Sequence, residues 1–150
     1  ISDIITQNPD RLIVSVGDYN DELDSPSFVN GLKLTSSYDA LRSAPVGSVF
    51  ATDSELPKNQ SGTFFYRRES KWNALDHILV AQGPDLLARK SKGFSYVSGS
   101  VQVVRPREFM EKGQFPAGCE LRNSGRTDGG KRCGKGASDH LGLTAEFELN

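Results

Sequence analysis

The sequence is short of the residues that staple a chain or coordinate soft metals. Two cysteines, Cys119 and Cys133, and two histidines, His77 and His140, are all that 150 residues contain. No second ligand pair stands at a spacing that suits zinc, which argues against a structural zinc site. No apolar run is long enough to span a bilayer. There is no signal-peptide pattern and no initiator Met. Neither sign of charge is in excess: 18 Lys and Arg face 19 Asp and Glu, for a net charge of −1. That balance argues against binding nucleic acid through sheer cationic excess, although a local basic patch would suffice.

What is present is ordinary globular material. Hydrophobic residues make up 36% and charged residues 25%, which suits one domain with a single core. A chain of this size buries roughly 68–70% of its unfolded surface. It opens at Ile1 inside what reads as the end of a helix, Ile1 to Gln7. That is expected of a boundary within a longer polypeptide.

The apolar run RLIVSV, Arg11 to Val16, lies between Pro9 and Gly17 and reads as a buried strand. Ser25-Pro26 reads as a helix start, Ser as N-cap and Pro as first helical residue, with a stop at Gly31. A second short helix is expected around Ser37 to Arg42, and a long surface loop over 45–62. Thr63 to Tyr66 and Trp72 to Ala81 read as two antiparallel strands joined by the turn RRESK. A short helix over Pro84 to Ala88 and strands over Phe94 to Val97 and Val101 to Val104 follow. Residues 111–136 are rich in glycine and charge and read as a loop. At the end, Leu141, Leu143, Ala145, Phe147 and Leu149 alternate with polar or small residues, the period of a half-buried strand. The sum is an α+β chain with a mixed, mainly antiparallel sheet and helices on one face.

Three segments can carry chemistry. Gly17-Asp18-Tyr19-Asn20-Asp21 follows the RLIVSV strand. There Asp18 can bind a hard cation or polarise a nucleophile, and Asn20 can donate to a phosphate oxygen. Asp and Asn are also common turn formers at such a place. In the apolar run Leu75-Asp76-His77-Ile78, Asp76 is costly to bury unpaired. It reads as the orienting partner of a histidine from another strand. Alternation sends His77 to the opposite face, where a packed or surface histidine is expected. Ser138-Asp139-His140 opens the last strand. His140 suits a general base or hydrogen-bond donor and Asp139 a metal ligand, against the plainer reading of a loop Asp-His pair.

In this order and spacing, GDYND, WNALDHILV and SDHLGLTAEFEL resemble the C-terminal part of the endonuclease/exonuclease/phosphatase superfamily, the DNase I-like fold. The resemblance runs over essentially the whole chain. It implies half of a four-layer α/β/β/α sandwich, with residues 1–150 as the C-terminal half of the catalytic domain. It further implies metal-dependent phosphoester hydrolysis by in-line attack of water, with Mg²⁺, or Mn²⁺ or Ca²⁺, offsetting charge on phosphate.

By resemblance, Asp18 aligns or deprotonates the water and contributes to the metal site. Asn20 binds the scissile phosphate, Asp76 orients His140, His140 contacts the phosphate, and Asp139 ligates metal. The family's first half supplies an Asn and a metal-binding Glu that this chain lacks. The chain is therefore expected to be inactive alone. It is also expected to leave an apolar sheet face free for its missing half, or for a second copy in a homodimer. A catalytically inactive binding or scaffold module of the same fold is the alternative, and the intact Asp18, Asn20, Asp76, Asp139 and His140 weigh against it.

Family substrates include DNA, RNA, phosphoinositides, sphingomyelin and nucleotides, so the fold does not choose among them. The loops 45–62 and 111–136 would. Lys112, Arg122, Arg126, Lys131, Arg132 and Lys135 outnumber Glu111, Glu120 and Asp128 in the second, which fits a polyanion such as nucleic acid as well as it fits a solvated loop. Tyr19 and Trp72 read as core or scaffold.

Cys119 and Cys133 read as a disulfide closing a loop of about 15 residues, worth roughly 3 kcal/mol in the chain-entropy model. Such a bond is expected of an exported protein; two unpaired thiols would fit a cytosolic one. Mass spectrometry of unreduced, alkylated protein is expected to find no labelled thiol. Two labelled cysteines would exclude the bond.

Overall fold

Seven residues from the RLIVSV run onward form β1, Leu12–Asp18, and they pair antiparallel with β5, Asp76–Gln82. The computed structural model describes residues 2–66, 68–87, 93–107, 110–111, 115–116 and 138–149. Before β1 comes helix α1, Ser2–Gln7. After it come α2, Pro26–Gly31, and α3, Tyr38–Leu41. Their starts are set by side-chain caps: Ser25 Oγ accepts from the Phe28 amide and Ser37 Oγ from the Ala40 amide.

The β1–β5 pair gains a third strand, β2, Phe50–Ala51, giving the order β1-β5-β2. A 3₁₀ turn, Thr52–Glu55, follows directly. Two-stranded antiparallel pairs complete the chain: β3, Phe64–Tyr66, with β4, Lys71–Asn73; β6, Phe94–Tyr96, with β11, Phe147–Leu149; β7, Gln102–Val103, with β10, Leu143–Thr144; and β8, Met110–Glu111, with β9, Phe115–Pro116. Helix α4, Pro84–Leu87, caps the end of β5. The class is α+β with antiparallel sheets, as the sequence implies.

Alternation on β5 sorts the core into two clusters. Leu79 and Ala81 pack with Ile5 of α1, Phe28 of α2, Val49 and Ala51. Val80 points the other way and packs with Phe50, Tyr96, and Tyr38 and Leu41 of α3. β5 is therefore covered on both faces along most of its length, which explains its continuous apolar run.

Three expectations change. Residues 45–62 are not a surface loop: Val49, Phe50, Ala51, Thr52 and Asp53 are all buried. A strand of two residues leaves too little periodicity to read. Glu55 also ties this segment inward by accepting from the Tyr96 hydroxyl at 2.5 Å and the Gly99 amide at 2.6 Å. The expected strand from Trp72 to Ala81 is two strands, β4 and β5. The break falls where Thr63 Oγ1 accepts from the amides of Leu75 and Asp76, both at 3.2 Å, and diverts them from a strand ladder. The final segment keeps its alternation from buried Leu141 to Phe147 but divides into β10 and β11. Most of 111–136, with Cys119, Cys133 and the basic cluster, lies outside the described residues.

On the β1 face opposite α1 and α2, apolar side chains remain in solvent. Val14 is 40%, Val16 67%, Phe94 54% and Leu149 72% exposed. A shallow groove of about 580 Å³ runs between Leu12, Val14, Phe94, Phe147 and Leu149. No helix among the described residues is long and apolar enough to cross a membrane.

Phe50, fully buried on β2, should carry much of the second cluster. Phe50→Ala is expected to destabilise by roughly 3–5 kcal/mol in urea unfolding, the cost of truncating a buried aromatic. Val16→Ala should change stability by about 0.5 kcal/mol or less.

Candidate active site

The register of β1 against β5 sets Asp18 directly across from Asp76. Opposed residues of an antiparallel pair share a face, so both carboxylates emerge on one side at one end of the sheet. Gly17 precedes Asp18 with φ +157, a conformation that side chains with a Cβ rarely adopt. The chain then turns sharply at Asn20, which sits in the left-handed region at φ 54. Asp18 Oδ1 accepts from the Asn20 amide at 2.8 Å and closes this turn. The turn-forming role and a site role thus coexist in Asp18, because Oδ1 holds the loop while Oδ2 faces outward.

His140 reaches the pair from the far end of the chain. An isolated antiparallel bridge joins it to Phe64, and the Leu141 amide donates to the Thr63 carbonyl at 2.8 Å. The Phe64 ring lies against the imidazole, centroids 4.9 Å apart and planes 37° apart. In that position His140 Nδ1 donates to Asp76 Oδ2 at 2.7 Å. An ionised carboxylate can only accept, so this bond places a proton on Nδ1 and turns Nε2 toward Asp18. The distance from Nε2 to Asp18 Oδ2 is 3.9 Å, too long for a direct hydrogen bond. Asp76 and His140 are about one-fifth exposed and Asp18 about two-fifths, so solvent reaches the gap between them.

Asp18, Asp76 and His140 each offer a ligand atom within 4.8 Å of the others. As a metal set the trio is uneven. Asp18 Oδ2 suits a hard cation, which prefers oxygen ligands. Asp76 Oδ2 is engaged with His140 Nδ1, which better fits a carboxylate–histidine dyad. Asn20 is exposed beside this cluster, its side chain free of the turn bond that its amide makes. Asp139 is exposed as well and is not a member of the trio.

Three contributors escaped the sequence. Thr63 is fully buried and ties both arms of the dyad, its hydroxyl accepting from the Asp76 amide and its carbonyl from the Leu141 amide. No sequence pattern marks such a hub. Phe64 covers the His140 ring. On the opposite face, His77 is buried as expected of a packed histidine, but it pairs with Asp53: His77 Nδ1 lies 2.8 Å from Asp53 Oδ2, with both side chains shut off from solvent. Asp53 was hidden in the segment read as a loop.

Burial alone would push the His77 imidazolium to shed its proton, but hydrogen bonding to Asp53 and the attraction of its charge outweigh that and raise the His77 pKa above the usual value. Unfolded, this histidine titrates near 6.5. The stabilisation it brings is therefore complete below that pH and is lost as pH rises through the higher folded value. Urea midpoints measured from pH 6 to 9 are expected to fall with rising pH in the native sequence. They should fall less in His77→Gln, which cannot titrate. Equal slopes in the two proteins would contradict this.

No curated protein and no solved structure matches the chain. One family model does, over residues 1–148, and the chain therefore belongs to the endonuclease/exonuclease/phosphatase family, whose members are in general hydrolytic enzymes.

Proposed function

We propose that this chain carries the histidine-bearing part of a metal-assisted phosphoester hydrolase of the nuclease or phosphodiesterase type. The observation that supports it most is the dyad: His140 Nδ1 bonded to Asp76 at 2.7 Å, with Nε2 directed at the carboxylate of Asp18 across a solvent-reached gap. On this reading a scissile phosphate sits at that gap. His140 Nε2 donates to it as charge develops, once the imidazole is protonated. Asp76 holds the ring in the tautomer and orientation this requires. Asp18 Oδ2 aligns the attacking water, and the Asn20 carboxamide donates to a phosphate oxygen.

A divalent cation, when bound, would offset charge on the phosphate oxygens. From this chain Asp18 and Asp139 are the oxygen donors assigned to it. Among the described residues the cluster itself holds two carboxylates, Asp18 and Asp76. The remaining ligands are assigned to the other half of the domain, so the chain alone is expected to bind Mg²⁺ weakly and to turn over little substrate. The exposed strip of Val14, Val16, Phe94 and Leu149 would be covered by that half or by a second copy. Nucleic acid is one candidate among the phosphoester substrates, suggested by the basic residues in 111–136, and the Cys119–Cys133 bond and export are part of the same proposal.

The test is hydrolysis of a DNA duplex and of bis(p-nitrophenyl) phosphate by the complete gene product with Mg²⁺. Activity is expected to fall about 10²–10⁴-fold in His140→Ala, the usual contribution of one positioned acid–base group, and to a similar degree in Asp18→Asn. Native-like turnover by His140→Ala would rule the reading out. Strong turnover by the 150-residue chain alone would rule out the shared site.

A further inference from the structure

We propose that His77 is a positioning residue that holds the Asp18–Asn20 loop from beneath, by donating from Nε2 to the carbonyl of Asp21 while Asp53 fixes the ring. This rests on the hydrolytic reading of Asp18 and Asn20 given above. Those two side chains are exposed, while Tyr19 and Asp21 between and beside them are half-buried. Asn20 takes a left-handed backbone, which asparagine tolerates, and Asp18 Oδ1 closes that turn on its amide.

The loop is also held from the buried side. The Tyr19 amide donates to the Leu75 carbonyl at 2.8 Å, and the Tyr19 hydroxyl bonds Ser15 Oγ at 2.6 Å. The Tyr19 ring packs against both Phe28 and His77. Asp21 is held through its carboxylate, which accepts from the Ser27 hydroxyl, and through its carbonyl oxygen, 2.7 Å from His77 Nε2. A carbonyl oxygen only accepts, so Nε2 must carry the proton.

The histidine itself is aimed by Asp53. Nδ1 lies 2.8 Å from Asp53 Oδ2, on the rigid 3₁₀ turn after β2. The arrangement is expensive. Asp53 is 3% exposed, and its other oxygen, Oδ1, has no hydrogen-bond partner among the described residues. Packed apolar side chains would stabilise such a position as well or better than a buried polar pair. What apolar residues cannot supply is a directed donor to the Asp21 carbonyl. Because His77 follows Asp76 on β5, the same strand orients His140 on one face and the Asp18 loop from the other.

Two amide substitutions separate the two ring nitrogens. In His77→Gln the side-chain amide takes the place of Nε2 and can still reach Asp21. In His77→Asn it takes the place of Nδ1 and reaches only Asp53. Hydrogen exchange by NMR is expected to show protection of the Tyr19 amide reduced roughly tenfold in His77→Asn, the scale of one lost buried hydrogen bond. His77→Gln should restore most of it, and the Val80 amide at the centre of β5 should be unaffected in both. With Mg²⁺ present, inorganic phosphate should shift the Asn20 amide resonance in the complete gene product and in its His77→Gln form but less in its His77→Asn form.

Native Tyr19 protection and phosphate response in His77→Asn, or equal loss in both variants, would overturn the proposal. Should either variant fail to fold, the native protein decides. A slowly exchanging His77 Nε2–H coupled through its hydrogen bond to the Asp21 carbonyl carbon is expected, and an unprotonated Nε2 would overturn the proposal. A complete gene product that gives no phosphate response would count against the hydrolytic reading, while the exchange ratio would still decide the positioning role.

Discussion

The pairing of β1 with β5 is the constraint on which the rest depends. It runs unbroken from Leu12 opposite Gln82 to Asp18 opposite Asp76. Side chains alternate along a strand, so a slip of one residue would carry Asp18 to the face of the sheet that holds α1 and α2. The register is pinned by the two-sided burial of β5, with Leu79 and Ala81 in one cluster and Val80 in the other. The stability of the centre of the fold and the placement of two carboxylates at its edge are thus one property.

Around that pairing, long-range contacts bring the remaining parts. His140 follows Asp76 by 64 residues, yet the bridge to Phe64 and the bond to the Thr63 carbonyl bring it within 2.7 Å of the Asp76 carboxylate. Thr63 serves both partners because its hydroxyl and its carbonyl point to different strands. Consecutive residues on β5 divide the labour: Asp76 is turned to solvent and the dyad, and His77 is turned inward to Asp53 and Asp21. The outer pair is reached by solvent and the inner pair is sealed from it.

How much of this could be read beforehand depended on how local the determining interaction is. The strand β1, the Ser25-Pro26 start of α2 and the Ser37 start of α3 were legible because their signals lie within a few residues, but β1 is not the buried strand its apolar run implied, since it stands at the edge of the order β1-β5-β2. Strand alternation correctly set Asp76 and His77 on opposite faces, and the order of GDYND, LDHI and SDH pointed to the family. β2 was not legible, since two residues joined to a distant strand carry no period of their own. Neither was the break between β4 and β5, which a hydroxyl twelve residues away imposes. Asp53 was missed for the same reason: a buried acid is recognisable only through its partner, and that partner lies 24 residues on. Val14, Val16, Phe94 and Leu149 are apolar side chains left exposed.

The central claim is that Asp76 and His140 work as one unit. A double-mutant cycle on kcat/KM in the complete gene product, built from Asp76→Asn, His140→Ala and the pair together, addresses it directly. If Asp76 acts only through the His140 ring, the double variant should be no slower than His140→Ala alone. Losses that multiply, so that the double variant falls by the product of the two single effects, would show independent roles and contradict the account.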